Sequence, residues 1–549
     1  MRRALTLSLL LACTLLAACE APVREETTAA APPLFDTFGT LHREIDTKVP
    51  AAQRYFDQGL RLAYGFNHET AGRAFAEAAR LDPKCAMCAW GQALVLGPNI
   101  NLPMAPELAA DATALASRAV QLSGNARPAD RALIEALAKR YATPAPADRK
   151  PLDEAYAQAM ADVARRFPDD DDIATLYAES LMDLSPWAYW SADGQPAQYT
   201  NDLVSALERV LQRNPDHIGA VHYYIHAVEA SKTPQRAEPH ADKLASLAPG
   251  SGHLVHMPAH IYIRTGRYHD ATLTNFAAST ADKDFLAVCR GSNGVYPLGY
   301  VPHNWHFAAM TAALHGSRTL ALEAARQTAQ RADMAKLEEM SFMQQFVVAP
   351  LFAQTRFGDW DAILAQQASP APLPYPTAIW HFARGMAYAR TGKIQAAQTE
   401  LQALSRTSAD PSLEKVVLWD INRADRVLDV AEPMLRGEIE LASGQRQAGI
   451  ASLRKAAAAE DLLNYNEPPD WPLPVRPYLG AALLDAGRAK DAAEVYAQDL
   501  VVYPDNGWSL YGQAKAQRAL KQADAASESE RRQAAAWQWA DVKLTASRF

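Results

Sequence analysis

The sequence predicts an all-α protein built from an array of paired helices. Hydrophobic residues make up 49% of the 549 residues and alanine is abundant, but the alternating runs of Val, Ile and Thr that indicate strands are missing. Small and large residues also recur in a frame of about 34 residues along much of the chain. About 515 residues follow residue 34, which is enough for a long repeat array.

The N-terminal segment is similar to a bacterial lipoprotein signal. Two arginines precede the apolar residues 4–16, and this run is too short to span a bilayer permanently. The next residues complete a Leu-Ala-Ala-Cys sequence that ends at Cys19 and resembles a lipobox, in which the cysteine is acylated. The resemblance implies a signal peptide at residues 1–18 and lipidation of Cys19. A plain secretory signal is the alternative.

Residues 19–48 are predicted to form a flexible, lipid-anchored tether. The first part of this segment is rich in Ala, Pro, Thr and Glu and poor in large apolar residues. Glu20, rather than an aspartate, follows the cysteine. In lipoproteins this implies export to the outer membrane, where several acyl chains would hold the protein facing the periplasm. The predicted location is therefore the bacterial cell envelope.

The charge of the chain argues against nucleic acid as a partner. The formal net charge is −8, and no basic stripe is present to replace the counterions of phosphates. The partners expected are proteins, peptides or small ligands, in addition to the membrane that the lipid anchor would bind.

A recurring pattern of small and large residues resembles the tetratricopeptide repeat. The first copy begins near Ala52, and a copy near the C-terminus repeats it. The residues that match are Tyr55, Gly59, Leu62, Ala71, Phe75, Ala78 and Pro83 in the first copy, and Gly480, Leu483, Gly487, Ala492, Tyr496 and Pro504 in the later one. The small residues let paired helices approach, and the large ones fill the space between them.

The resemblance implies a tetratricopeptide-type helix-turn-helix superhelix, an α-solenoid with irregular insertions. Residues 49–330 would form an N-terminal array and residues 331–549 a C-terminal array. Members of this superfamily typically bind proteins or peptides in the concave groove, although the repeat itself determines fold and not activity. The insertions are expected near residues 97–107, 185–200, 285–301 and 460–475. The last is too rich in proline to be helical, and would form a plug or wall one end of the groove.

Histidine is concentrated in one part of the predicted N-terminal array. Ten of the 14 histidines lie between His217 and His306. In the family's frame, several of them fall on first-helix positions that face the groove, together with two glutamates. The candidate ligands at these positions are Glu179, His222, His226, Glu229, His253, His256, His260, His303 and His306, and Asp183 also faces the groove.

These candidates suggest a metal site in the groove. Imidazole and carboxylate are the usual ligands of zinc, copper, iron and manganese. A metal-free, histidine-rich ligand pocket and a purely structural role are the alternatives, since a single helical histidine is usually a packed residue. Pro258 adds a complication, because a proline in mid-helix would interrupt the helix between His256 and His260.

Two cysteines, Cys85 and Cys88, form a second candidate site. Outside the cytoplasm, a disulfide within the pair or to Cys289 is the expected state, and a redox or metal role is the alternative. The sequence contains none of the common catalytic motifs, including His-Glu-X-X-His and Gly-X-Ser-X-Gly. Any catalysis would therefore depend on the metal.

The leading hypothesis is a lipid-anchored periplasmic repeat protein that binds a transition metal or small ligand through its histidine and glutamate cluster, with protein-binding C-terminal repeats. A metal-free interaction scaffold is one alternative. A metal-dependent hydrolase or oxidoreductase on the same scaffold is the other, and it requires an open coordination position beside a pocket.

Overall fold

The predicted all-α architecture is confirmed by the computed structural model, which describes residues 31–289 and 294–549. The structure is 68% helical and 2% strand. The helices of the predicted N-terminal array are α1 (Pro50–Tyr64), α2 (His68–Leu81), α3 (Ala86–Leu94), α4 (Ala109–Leu122), α5 (Pro128–Leu137), α6 (Lys150–Arg166), α7 (Asp171–Met182), α8 (Thr200–Arg213), α9 (Ile218–Val228), α10 (Glu238–Leu247), α11 (Gly252–His256), α12 (Pro258–Thr265), α13 (Tyr268–Val288), α14 (Val301–Leu314) and α15 (Arg318–Arg331).

The rest of the chain continues the helical array and adds one small hairpin of strands. The elements are α16 (Met343–Arg356), α17 (Trp360–Ala365), α18 (Pro374–Arg390), α19 (Ile394–Ser408), β1 (Val417–Leu418), β2 (Asn422–Arg423), α20 (Ala424–Ala442), α21 (Arg446–Glu460), α22 (Arg476–Asp485), α23 (Ala489–Val502), α24 (Gly507–Ala519) and α25 (Ala523–Ala536). The two strands pair antiparallel. Consecutive helices pack as antiparallel pairs, most closely in α1–α2, α14–α15, α18–α19 and α20–α21.

Glycines that face aromatic rings allow the paired helices to pack closely, as the repeat pattern predicts. A side chain at Gly59 of α1 would place its Cβ 2.6 Å from the ring of Phe75 on α2. Gly480 of α22 faces Tyr496 of α23 in the same way. Each aromatic residue follows its glycine by the same interval, so both pairs use the same contact to bring two helices together.

The apolar core has two main clusters, and the loops of the second reach the first. One cluster extends from Phe38 to Leu314 and includes Tyr503, and the other lies between Leu337 and Ala516. The hydroxyl of Tyr268 donates a hydrogen bond to the carbonyl of Pro504 at 2.6 Å. Chain distant in sequence therefore covers the N-terminal half of the array.

Part of the segment predicted to be a flexible tether is instead packed against the array. Phe38 and Ile45 are each 4% exposed. Arg43 is buried, and it forms ion pairs with Asp130 at 2.8 Å and with Asp170 at 2.9 Å. The prediction was therefore wrong for residues 35–48. The composition of the preceding residues indicated a flexible segment, but Phe38, Ile45 and the ion-paired Arg43 are buried against the array. Cys19 and residues 1–30 lie outside the described residues.

No helix within residues 31–289 and 294–549 combines the length and apolarity that a membrane crossing requires.

Candidate metal centre

Six of the seven candidate histidines converge in the interior of the array, in two groups of three. The first triad is His222, His226 and His253, and the second triad is His256, His260 and His303. The nitrogen atoms within each triad lie within 4.8 Å of one another. All six side chains are buried, from 0% exposed for His222 and His256 to 9% for His303. They come from four helices, α9, α11, α12 and α14.

The distances between facing nitrogens are 2.8–3.3 Å, and two of the three lie within the range expected for ligands on one metal ion. His222 Nε2 lies 3.1 Å from His253 Nε2 in the first triad. In the second, His256 Nε2 lies 2.8 Å from His260 Nε2 and 3.3 Å from His303 Nε2. Two nitrogens that each bind an ion at about 2.1 Å lie about 3.0–3.4 Å apart at octahedral or tetrahedral angles.

The other ring nitrogen of several histidines is held by an acceptor. His222 Nδ1 lies 2.6 Å from the carbonyl oxygen of Tyr64. His256 Nδ1 lies 2.6 Å from Asn275 Oδ1, and the Asn275 amide is oriented because its Nδ2 donates to the carbonyl of Ala271. Each Nδ1 must therefore carry the proton, which leaves a lone pair on Nε2 of the neutral ring.

Glu229, a predicted ligand, contacts one histidine of each triad, and with His226 and His260 it forms a third group that could hold a metal ion. Its Oε1 lies 2.7 Å from His226 Nδ1, and its Oε2 lies 2.6 Å from His260 Nδ1. Tyr465, from the predicted 460–475 insertion, donates to the same Oε2 at 3.1 Å. Burial opposes ionisation of Glu229, but His260 and His226 together hold its pKa well below the usual range. The carboxylate therefore orients His226 and His260 so that their Nε2 atoms face the interior.

With Nδ1 facing an acceptor, the Nε2 atoms of neighbouring histidines face each other, and a cation between them would remove their repulsion. In the second triad, His256 Nε2 and His260 Nε2 face each other at 2.8 Å, and the Nδ1 of each ring faces an acceptor. Two facing lone pairs repel unless a proton or a metal ion lies between them. Burial lowers the pKa of His256, as it does for His222, His226, His253 and His303, so the interior disfavours the protonated form of these rings. A metal ion satisfies the same lone pairs.

Pro258 interrupts the helix as predicted, and the histidines still align. Helix α11 ends at His256 and α12 begins at Pro258. The rings of His256 and His260 nevertheless lie 4.8 Å apart, on either side of the break. The interruption therefore preserves the alignment of these ligand candidates.

Two predicted ligands lie away from the triads. His306 is buried against Phe346, with 5.8 Å between the ring centroids, and belongs to neither triad. Its position three residues after His303 turns it towards α16. Glu179 lies 3.6 Å from the guanidinium of Arg140, so its carboxylate neutralises a buried cation. His306 and Glu179 therefore lie outside both triads.

Aromatic residues with strained backbones surround the triads. Phe66, Trp187 and Trp419 have φ angles of 54°, 62° and 52°. Their rings lie 4.5, 5.2 and 5.5 Å from those of His222, His226 and His303, respectively. Left-handed backbone at a bulky residue costs about 1–3 kcal/mol and is concentrated at functional sites.

A cavity of ≈30 Å³, here called the inner cavity, lies between the two triads. Its lining residues are Asn101, Trp187, His226, His253, His260, Tyr300, His303, Trp419, Ile421, Asn466 and Glu467. All four predicted insertions contribute to this wall. The volume is sufficient for about one water molecule or a similarly small ligand.

A second cavity of ≈890 Å³, the outer cavity, adjoins the inner one. Four residues line both: Trp187, Ile421, Asn466 and Glu467. Burial raises the pKa of the Glu467 carboxyl to about 8, and its Oε2 atom has no hydrogen-bond partner. The two cavities therefore share a wall that contains a buried carboxyl group. Its size is that of pockets that bind small organic molecules.

Two residues near the site were not found from the sequence. Trp419 comes from the β1–β2 hairpin, where no insertion was expected. Arg264 lines the outer cavity, four residues after His260 on α12. The repeat frame provided a signal for Arg264, which occupies the groove-facing position 13, but arginine is not a metal ligand.

The structure joins Cys85 and Cys88 in a disulfide at the start of α3. Cys289 is a buried free cysteine. The pair therefore has the state expected within the Cys-X-X-Cys sequence, and the bond to Cys289 is not formed.

No family model and no curated protein matches the chain. Similar solved structures include the APC/C hetero-tetramer Cut9-Hcn1 (14% identity, 89% of this chain and 74% of that chain, TM-score 0.29). A human IFIT1 dimer with m7Gppp-AAAA (12%, 89% and 90%, 0.34) and the yeast Tom70 (11%, 88% and 90%, 0.27) are also similar. All three are tetratricopeptide-repeat proteins. None matches closely enough to indicate a ligand or a partner for this chain.

Proposed function

We propose that this protein binds a transition metal at two adjoining three-histidine sites inside its repeat array. The observation that carries the proposal is the set of facing Nε2 atoms 2.8–3.3 Å apart, several of them on rings whose Nδ1 is already committed to an acceptor. Rings held in this way are metal ligands with their supporting hydrogen bonds in place.

Each triad would leave a coordination position for an additional ligand. Three protein ligands with a fourth position open are typical of reactive rather than structural zinc sites. The inner cavity touches His226 and His253 of the first triad and His260 and His303 of the second. A small ligand there would lie close to both ions. All-imidazole coordination favours zinc, copper or iron over manganese among the metals considered.

Elemental analysis with three matched variants tests the proposal. The wild-type protein, purified without chelator or affinity tag, is expected to contain two equivalents of metal. His222→Ala/His253→Ala and His256→Ala/His260→Ala should each retain about half or less, because each removes two ligands of one triad. His381→Ala is the control, since this histidine pairs with Glu400 at 2.7 Å far along the chain from either triad.

Several results would contradict the proposal. Wild-type protein that binds no added zinc, copper or iron, and shows no rise in melting temperature with them, would leave a metal-free scaffold. A single equivalent abolished by both double variants would show that the triads form one site rather than two.

A metal-dependent enzyme is the second candidate function. It is favoured by the inner cavity, which places open coordination space beside a pocket of substrate size. The metal found would separate the two reaction classes: zinc indicates hydrolysis through an activated water, whereas copper or iron indicates redox chemistry. Electron paramagnetic resonance of the protein as isolated would identify oxidised copper.

The helical-repeat scaffold suggests protein–protein interaction, and we propose that the C-terminal array supplies this surface. We further propose that the protein is lipid-anchored at Cys19 in the bacterial envelope. The disulfide between Cys85 and Cys88 supports export, since such bonds persist in oxidising compartments. Cys19→Ser should move the protein from the membrane to the soluble fraction, and unchanged membrane association would reject the anchor.

A further inference from the structure

We propose that the outer cavity is a substrate pocket for an organic molecule with one carboxylate and a flat apolar body, and that Arg264 binds the carboxylate. This inference rests on the proposed metal function, because it assigns a substrate class to that centre. It depends on the position of Arg264, the charges around it and the shape of the cavity.

Arg264 is a cation without an ion pair. Within residues 31–289 and 294–549, no carboxylate pairs with its guanidinium, which instead lies 5.2 Å from the ring of Tyr465. Its Nε atom is buried and has no hydrogen-bond partner. Arg476, in the wall of the same cavity, is different because Asp461 lies 2.7 Å away. An unpaired guanidinium facing a cavity is suited to bidentate binding of a ligand carboxylate.

Arg264 lies next to the second triad. It follows His260 by four residues in α12, so both side chains project from the same face of the helix. The rise between them is about 6 Å along the helix axis. A carboxylate bound by Arg264 would therefore leave the rest of a small molecule within reach of the inner cavity, past Glu467.

The charges of the cavity wall favour a monoanion. Glu460 and Glu467 line the cavity, and burial raises the pKa of both carboxyls to about 8, which favours their neutral forms at pH 7. Asp461 and Asp499 also line the cavity, and Asp461 is paired with Arg476. A single carboxylate matches the single unpaired guanidinium, whereas a dianionic phosphate would keep an unbalanced charge.

The apolar part of the wall favours a flat body. Trp187 and Trp190 line the cavity, and the indole of Trp190 is fixed by a hydrogen bond from Nε1 to the carbonyl of Ala227 at 2.8 Å. Leu462 and Val501, also in the wall, are 86% and 74% exposed. Fixed indoles and an apolar rim provide contact area for a planar apolar group.

The test compares the probes 2-naphthoate and 2-naphthamide, which differ in charge but not in shape. Calorimetry on wild-type protein is expected to show at least tenfold tighter binding of the naphthoate. Arg264→Gln should abolish that preference, and Arg264→Lys should restore part of it. Arg476→Gln is the matched control in the same cavity and should keep the preference. Melting temperature establishes that each variant is folded.

A second measurement locates the probe relative to the metal. With Co²⁺-loaded protein, the ring protons of bound 2-naphthoate should broaden in NMR spectra, and zinc-loaded protein should not cause this broadening. Equal binding of both probes, a preference that survives Arg264→Gln, or an absence of broadening in protein shown to contain Co²⁺ would overturn the inference. If the protein binds no metal but retains the naphthoate preference through Arg264, the metal proposal fails and the anion pocket remains. If the protein binds metal but shows no preference for the naphthoate, the anion pocket fails and the metal proposal remains.

Discussion

The N-terminal and C-terminal halves of the array are both built from paired helices, but the connections between their helices differ in length. In the C-terminal half, α18–α19 and α22–α23 are joined by turns of three residues, with Gly392 and Gly487 at φ angles of 75° and 73°. In the N-terminal half, residues 183–199 separate α7 from α8, and residues 289–300 separate α13 from α14. Both of these long connections contribute to the wall of the inner cavity. Regular repeats build the scaffold, and departures from the repeat build the site.

A histidine–glutamate pair in each half makes the difference clearer. His260 Nδ1 lies 2.6 Å from Glu229, and His381 Nδ1 lies 2.7 Å from Glu400. The first pair points its Nε2 at a second imidazole 2.8 Å away. Among the residues that the structure describes, the second pair has no such neighbour, and it shares its carboxylate with Arg384 at 2.8 Å. The pairing alone is therefore structural, and the facing Nε2 atoms suggest a metal site.

Acid should destabilise the metal-free N-terminal half first. Burial lowers the pKa of five triad histidines, and it lowers the pKa of His306 to about 4. Because the unfolded value is about 6.5, the unfolded chain binds more protons as the pH falls below 6.5, and the free energy of unfolding decreases. His306 alone accounts for about 3 kcal/mol at pH 4.

The C-terminal half should respond differently to acid, since His381 is its one histidine. The raised pKa of Glu460, about 8, adds stability at low pH that is lost as the pH rises. Hydrogen exchange followed by segment from pH 7 to pH 5, corrected for intrinsic rates, would measure the difference. If α20–α25 opened at a higher pH than α9–α14 as the pH is lowered, the result would contradict this expectation.

A bulky residue at a packing glycine should destabilise the C-terminal half without changing the metal content of the protein. In Gly480→Val, the new side chain would overlap the buried ring of Tyr496. Such overpacking costs about 1–3 kcal/mol, which denaturant unfolding would measure. Gly124→Val is the control, because nothing lies within 4 Å of that position. Loss of metal together with stability would show that the halves do not act separately.

Glu229→Gln should weaken metal binding while leaving the fold intact. The amide cannot accept hydrogen bonds from both His226 and His260, so one imidazole loses its orientation. Loss of such a supporting partner typically costs 10–100-fold in metal affinity, which competition with a chelator would determine. Glu400→Gln, in the solitary pair, should leave affinity unchanged. If both substitutions lowered metal affinity equally, Glu229 would have no specific role at the metal centre.

Glu467→Gln should produce the smallest change. Its side chain lines both cavities but does not hold a triad histidine. Metal content and affinity are therefore expected to match the wild-type protein. A clear loss of metal from this variant would identify Glu467 as a ligand and would change the proposed coordination.

Some features of the site were predictable because they follow helical periodicity. His253, His256 and His260 recur at intervals of three and four residues, which places them near one another on adjoining turns. His306 and Glu179 satisfied the same frame but lie elsewhere. Their directions depend on Phe346 and Arg140, which come from other helices. A repeat frame specifies the face of a helix but not the partner that the face meets.

The sequence by itself determined the all-α repeat architecture, because glycine and aromatic spacing within a helix pair is a local property. It also identified the six histidines that converge and the insertions that cover them. Only the tertiary structure decided that the histidines form two triads, that Glu229 connects them, and that Arg264 is left without an ion pair. These features depend on contacts such as that between Tyr465 and Glu229, which are 236 residues apart. Such contacts exist only once the array has folded and brought its distant loops together.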